Sequence, residues 1–284
     1  MEKKFEIKGS TLLERIWGFF RRCLFLVLSF GPMPSHIAFI MDGNRRFAKN
    51  KGIKEGGGHK FGFASLIHIL QYCYEMGVKY VTVYAFSIDN FKRNPDEVQS
   101  LMHLMQEKID ELLKEESIVK KYEIRINFLG NLKLLSEPVR LAAEKAMNNT
   151  ANNKGPVLSV CVAYTSTDEI MHSIEESCMT KKKKIQDGHA NGYDDDDDIR
   201  DFISVSELEQ HLYTTDCPEP DILIRTSGET RLSNFLLWQT AFSHLQSPVA
   251  LWPEFSLRHL VWAILEYQKV CPYLRELRSK NKKN

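Results

Sequence analysis

The chain has 284 residues, 43% of them hydrophobic and 26% charged, with a formal net charge of +1. That length and apolar content suffice for one sizeable core and do not call for a second domain. The balanced charge leaves no global field to draw in nucleic acid, so charge has to act locally. Near the amino end, Leu12, Leu13, Ile16, Trp17, Phe19 and Phe20 precede Arg21 and Arg22, and an apolar stretch from Cys23 to Leu28 follows. The two arginines cut this run below the roughly 20 uninterrupted residues of a bilayer-spanning helix. It reads as a segment at a membrane surface, with arginines reaching for anionic headgroups, or as a helix packed on a partner or on the domain itself. No small-residue cleavage site follows it.

After Gly31-Pro32-Met33-Pro34, residues 37–41 read as a short buried strand. Helical spacing returns at 61–74, β-branched and aromatic residues mark a strand at 78–86, and Leu101, Met102, Met105, Ile109 and Leu112 predict a helix over 98–113. Strands at 124–129, 157–164 and 222–224 alternate with helices at about 134–148, 170–177 and 205–213, and an apolar segment begins at 235–239. This alternation predicts a single α/β domain with a mainly parallel central sheet flanked by helices and functional groups beyond the carboxyl ends of its strands. Residues 181–198, with Lys181 to Lys184, two glycines and Asp194 to Asp198, read as an exposed, mobile insertion. The aspartates there read as a solvated run rather than a metal site. The resulting plan is an amphipathic segment over 1–31, one domain over 32–270 and a basic tail over 271–284. The six cysteines form no CxxC pair, which removes the usual sequence evidence for zinc or a dithiol centre.

Three polar constellations follow predicted strands. The first is Asp42, Gly43, Asn44, Arg45 and Arg46, continued by Gly56 to Gly58, His59 and Lys60. Glycines permit close backbone approach, helix-start amides can face diphosphate oxygens, Asp42 is a hard ligand suited to magnesium, and the arginines offer forked donors. Ordinary alternatives are a helix cap at Asp42 and surface solvation at the arginines. The second runs from Tyr84 to Arg93, where an apolar strand gives way to Ser87, Asp89, Asn90, Lys92 and Arg93; a helix cap at Ser87 or Asp89 is its plain reading. The third, from Asp221 to Phe235, sets Arg225, Arg231 and several hydroxyls on a glycine-containing connection that can cradle a second diphosphate, or form salt bridges and caps.

Together HIAFIMDGNRR at 36–46, YAFSIDNF at 84–91 and IRTSGETRLSNFLLWQ at 224–239 resemble the cis-prenyltransferase family, in its eukaryotic dehydrodolichyl diphosphate synthase branch with plant rubber-synthase relatives. The resemblance spans about residues 32–267. It implies an undecaprenyl-diphosphate-synthase-like fold and a catalytic subunit that condenses isopentenyl diphosphate onto an allylic diphosphate such as farnesyl diphosphate, giving a long-chain cis-polyprenyl diphosphate as a dolichol precursor. It implies Mg2+ handled through Asp42, an allylic pocket shaped by Gly43, Asn44, Arg45, Arg46 and His59, a catalytic Asn90 that orients isopentenyl diphosphate or assists loss of its proton, with Arg93 nearby, and a grip on that substrate by Arg225, Arg231 and Ser233. A growing hydrocarbon needs an apolar tunnel, for which Phe61, Phe63, Leu66, Ile69 and Leu70, or Leu101, Met102 and Met105, are candidates. Departures from the bacterial homodimers are Glu55, Arg45, Phe47 and His244 at positions usually held there by arginine, glycine, tryptophan and glutamate, and a C-terminus without an Arg-x-Gly motif. They imply a Nogo-B-receptor-like accessory subunit, and a site at the cytosolic face of the endoplasmic reticulum membrane. The competing readings are a noncatalytic scaffold of the same fold and a trans-prenyltransferase, whose fold would be all helical.

Overall fold

The computed structural model describes residues 12–53, 57–190 and 202–281. Six strands form one sheet: β1 (His36–Ile40), β2 (Tyr80–Ser87), β3 (Arg125–Leu129), β4 (Val157–Tyr164), β5 (Ile222–Arg225) and β6 (His244–Gln246). Their order is β3-β4-β2-β1-β5-β6, and every neighbouring pair is parallel. Ile37, Ala38 and Phe39 of β1 and Ile222, Leu223 and Ile224 of β5 are all buried, as a sheet covered on both faces requires. From β1 the chain crosses to β2 on one side, and it returns from β4 to place β5 on the other. The strand order therefore diverges at β1, where loops at the carboxyl ends part and leave a crevice.

The helices are α1 (Leu12–Leu28), α2 (Asn44–Asn50), α3 (Gly57–Glu75), α4 (Pro95–Leu112), α5 (Ile118–Tyr122), α6 (Glu137–Thr150), α7 (Ser166–Ala190), α8 (Val205–Gln210) and α9 (Leu257–Asn281). Three findings refine the sequence reading. The lysines at 181–184 prolong α7 instead of leaving it, while Asp194 to Asp198 lie outside the described residues. The helix expected over 61–74 begins earlier, since Gly57 and Gly58 already belong to α3. A Cβ on Gly58 would stand 2.2 Å from the Asn44 carbonyl oxygen, so its lack of a side chain lets α3 pack against α2. The stretch from 271 continues α9 to Asn281, and Arg278 ties it to the amino end of β5 through Asp221 at 3.3 Å and the Pro220 carbonyl at 2.8 Å.

Helix α1 packs on the domain along one face. Phe25 and Leu28 are buried, and Arg21 pairs with Glu75 of α3 at 3.0 Å instead of reaching outward. The opposite face exposes Trp17, Phe19, Phe20, Leu26 and Val27. Among the described residues no helix is long and apolar enough to cross a membrane. The two faces predict different mutational costs: Leu28→Ala should lose about 2–5 kcal/mol in denaturant unfolding, whereas Trp17→Ala should stay within about 0.5 kcal/mol. Equal losses would mean that the outer face is also packed against the chain.

Candidate active site

The register of the two central strands sets the site. Ile40 at the end of β1 lies beside Arg225 at the end of β5, so the residue two beyond Ile40 falls over that guanidinium. Asp42 Oδ2 accepts from Arg225 Nη2 at 2.8 Å, and Oδ1 is 3.7 Å from Arg46 Nη2. The Thr226 hydroxyl clamps the Asp42 backbone by accepting from its N–H at 3.0 Å and donating to its carbonyl at 2.7 Å; that carbonyl also accepts from the Trp252 N–H at 2.9 Å. Partial burial by itself pushes the Asp42 carboxyl up. The bond from Arg225 and the charges of Arg225 and Arg46 outweigh it and hold the group below the usual carboxylate range.

Arg225 is only 5% exposed, and an unmatched buried guanidinium would cost several kcal/mol, on the order of what the pairing restores. Its other amino group, Nη1, donates to Ser233 Oγ and to the Arg231 carbonyl, both at 2.6 Å. Arg46 donates to Ser227 Oγ at 2.5 Å and lies 3.7 Å from Glu229, which also accepts from Arg231. The loop carrying these groups holds Ser227, Ser233, Asn234 and Leu236 at positive φ of 75°, 47°, 59° and 47°. Such conformations cost non-glycine residues about 1–3 kcal/mol each and persist where surrounding contacts impose them.

On the other side, Gly43 opens α2 with φ 106°, and a Cβ there would stand 2.9 Å from Leu251 Cδ2, so both torsion and space call for glycine. Asn44 donates to the Met41 carbonyl at 3.1 Å, while its Oδ1 is buried without a protein partner and faces Gly62. Glu97 of α4 gathers Arg93 at 2.9 Å and Arg45 at 3.8 Å. His59, in the first turn of α3, has its pKa lowered by burial and then by the charges of Arg93 and Arg45, with Glu97 opposing; its ring is therefore neutral near pH 7. Asn90 is fixed in its own turn, where Oδ1 accepts from the Ser87 N–H at 3.0 Å in a capping box.

Behind this charged rim lies an apolar cavity that begins at Met41, Asn44 and His59 and runs between α3, α4 and the sheet, past Phe63, Leu66, Phe86, Leu101, Met105 and Ile109. Of the tunnel candidates, Phe63, Leu66, Leu101 and Met105 line it. Ile69, Leu70 and Met102 belong to the solid core, and Phe61 is exposed against Phe47. Thr226, Glu97, Glu229 and Trp252 hold the site without having been assigned a role from sequence. Glu97 was findable as the i+4 partner of Arg93; the use of Trp252, 210 residues from Asp42 in the chain, leaves no local signal.

Guanidinium groups facing a crevice at the mouth of an apolar cavity suit a substrate with a charged head and a hydrocarbon tail. The comparisons with known proteins agree. Residues 40–271 match the family described as putative undecaprenyl diphosphate synthase. A dehydrodolichyl diphosphate synthase of Solanum lycopersicum is 57% identical over 95% of this chain and 96% of its own length. A rubber cis-polyprenyltransferase of Hevea brasiliensis is 52% identical over 91% and 92%. The crystal structure of lavandulyl diphosphate synthase from Lavandula x intermedia, in complex with dimethylallyl diphosphate, superposes with a TM-score of 0.70 at 32% identity, covering 83% of this chain and 95% of that one. The chain belongs to the cis-prenyltransferase family, in its eukaryotic dehydrodolichyl diphosphate synthase branch close to the plant members. It is an enzyme that condenses isoprenoid diphosphates, not a scaffold, and the parallel sheet removes the all-helical trans-prenyltransferase reading.

The Asp42–Arg225 pair has a pH signature. A carboxyl held below 3.8 contributes stability that is full above that value and is lost as pH falls through its own lower pKa. Replacing Arg225 with Gln should raise the Asp42 pKa, because burial remains while the main compensating partner is gone. Carboxyl-carbon NMR titration of both proteins checks this, and an unchanged Asp42 pKa would refute it.

Proposed function

We propose that the chain is the catalytic subunit of a long-chain cis-polyprenyl diphosphate synthase that extends an allylic diphosphate such as farnesyl diphosphate with isopentenyl diphosphate. The observation that carries this reading is the Asp42–Arg225 contact, since it joins two anion-binding loops at one cavity mouth. The allylic diphosphate lies on the side of Gly43, Asn44, Arg45, Arg46 and His59, with its hydrocarbon in the cavity. Isopentenyl diphosphate is gripped by Arg225, Arg231 and Ser233, with Asn90 and Arg93 closing that side.

The allylic C1–O bond breaks with its electron pair leaving on diphosphate, the C3=C4 electrons of isopentenyl diphosphate join its C4 to C1, and the released diphosphate takes the C2 proton as the cis C2=C3 double bond forms. Arg45 and Arg46 face the oxygens on which charge grows, so their attraction strengthens toward the transition state. The apolar wall retains the product, each buried CH₂ contributing about 0.8 kcal/mol.

Membership of the family implies magnesium dependence. The described residues hold no cluster of three or more acidic, His or Cys side chains, so the protein would contribute few ligands, with Asp42 as the candidate carboxylate. That donor set fits magnesium, which is commonly held by one or two carboxylates together with substrate phosphates and water. Asp42 would hold the ion through Oδ1, the oxygen not bonded to Arg225. When bound, the ion offsets negative charge on the departing diphosphate.

A Nogo-B-receptor-like accessory subunit completes the site in this reading. Proteins of Homo sapiens and Mus musculus that are 44% and 42% identical to this chain are named as subunits of a dehydrodolichyl diphosphate synthase complex. Of Arg275 and Arg278, the two arginines near the C-terminus, Arg278 offers no substitute: it is spent on Asp221, before the first residue of β5, whereas Arg225 stands at the other end of that strand. The exposed rings of α1 support peripheral attachment to the cytosolic face of the endoplasmic reticulum membrane. One assay tests the proposal: incorporation of isopentenyl diphosphate by wild type and Asp42→Ala, each alone and with the accessory subunit, beside circular dichroism. The expected result is cis product chiefly from the wild-type complex and at least about a 10²-fold loss in folded Asp42→Ala. Full turnover by folded Asp42→Ala would refute the role of the carboxylate, and equal efficiency without the subunit would refute the heteromer.

A further inference from the structure

Glu169, in the first turn of α7, is completely buried, yet it touches neither substrate loop's charged groups. Its carboxylate is matched by uncharged donors. The Thr214 N–H and hydroxyl donate to Oε1 at 3.1 and 2.9 Å, Gln239 Nε2 donates to Oε2 at 2.9 Å, and the Tyr164 hydroxyl also donates to Oε2. Burial, followed by the Glu169 charge, pushes the Tyr164 phenol well above its ordinary pKa, so it remains a donor. Gln239 turns its nitrogen toward Glu169 and Thr214 even though its own Oε1 is left buried without a partner, so the carboxylate dictates the amide's orientation.

These partners bracket the strained segment that carries Ser233. At its far end stands Gln239. Near its start, Phe235 stacks on Tyr84 with centroids 4.4 Å apart and meets the Tyr164 ring edge-on, while the Tyr84 hydroxyl lies 3.0 Å from the Tyr164 carbonyl. Between them, Ser166 donates its N–H to the Asn234 carbonyl at 2.8 Å and accepts the Leu237 N–H at 2.9 Å. Three positive-φ residues, Ser233, Asn234 and Leu236, cannot hold their shape by intrinsic preference, and the contacts radiating from the start of α7 supply the restraint.

We propose that Glu169 is a positioning residue for isopentenyl diphosphate: it anchors the 233–239 segment through Gln239 and Tyr164, and so sets the Ser233 hydroxyl and the Arg225 fork that bonds it. The proposal rests on the assignment of Arg225, Arg231 and Ser233 to that substrate. A glutamine at 169 would keep the volume but point an NH₂ group at the Thr214 N–H on one side or at the Gln239 amide on the other, setting donor against donor.

The test compares wild type, Glu169→Gln, Gln239→Leu and Ser233→Ala, each with its accessory subunit, measuring KM separately for isopentenyl diphosphate and for the allylic primer, with kcat. Glu169→Gln should raise KM for isopentenyl diphosphate by about tenfold and leave the primer KM within about twofold, since only one diphosphate's donors move. Gln239→Leu should shift the same constant in the same direction by less, and it decides the matter if Glu169→Gln does not fold. Lowered thermal stability with both KM values unchanged, or with both raised alike, would mean that Glu169 serves folding alone and would overturn the proposal. Should Ser233→Ala raise the isopentenyl KM while neither other variant does, the substrate assignment stands and the positioning role fails. An unchanged isopentenyl KM in Ser233→Ala defeats the assignment and the positioning role with it.

Discussion

Arg225 brings a full positive charge to the end of a buried strand, and the rest of the site is arranged around the need to match it. Its two amino groups look in different directions, one to Asp42 beyond β1 and the other to Ser233 and the Arg231 carbonyl. Removing water from such a group is tolerable only when its charge is matched, and the Asp42 carboxylate matches it while Nε stays buried without a partner. The pairing therefore fixes the loops after β1 and β5 relative to each other before any substrate arrives. Preorganisation of this kind is useful because donors already in place need no rearrangement when charge develops.

The scaffold around this pair separates support from chemistry. At the amino end of β5, Asp221 receives the Ser35 and His36 N–H groups, the Tyr267 hydroxyl and Arg278, and so ties the start of β1 and helix α9 to the sheet. His36 lies nearby with its ring between the Pro218 carbonyl and the Thr82 hydroxyl, and burial chiefly pushes its pKa down to about 4. At the carboxyl end, the same strands leave their last residues to the crevice. Strained backbone is concentrated there, in the loop after β5, where the first turn of α7 meets it.

Much of this was legible in the chain itself. The β-branched runs at 78–86 and 157–164 and the helical spacing at 98–113 gave the layered parallel architecture because packing on both faces of a sheet demands them. The charged motifs after β1, β2 and β5 were legible because their residue types are expensive anywhere but at a site or a surface. Three features were not. Strand β6 spans only His244–Gln246, too short for a periodic signal, and is defined by its pairing with β5. The role of Gly58 and Gly62 is to admit Asn44, which depends on helix–helix approach rather than on local torsion. Helix α1 divides its apolar residues between an inner face anchored by Arg21 and an outer face open to solvent, a division decided by Glu75 some fifty residues away.

The most direct test of the central pairing is a double-mutant cycle on Asp42→Asn and Arg225→Gln, with kcat/KM for cis condensation as the readout. Because the two groups share a partly buried bond at 2.8 Å, a coupling of at least about 1 kcal/mol is predicted, so that the second substitution costs much less once the first is made. Effects that simply add, to within about 0.5 kcal/mol, would contradict it and show that the two loops act independently.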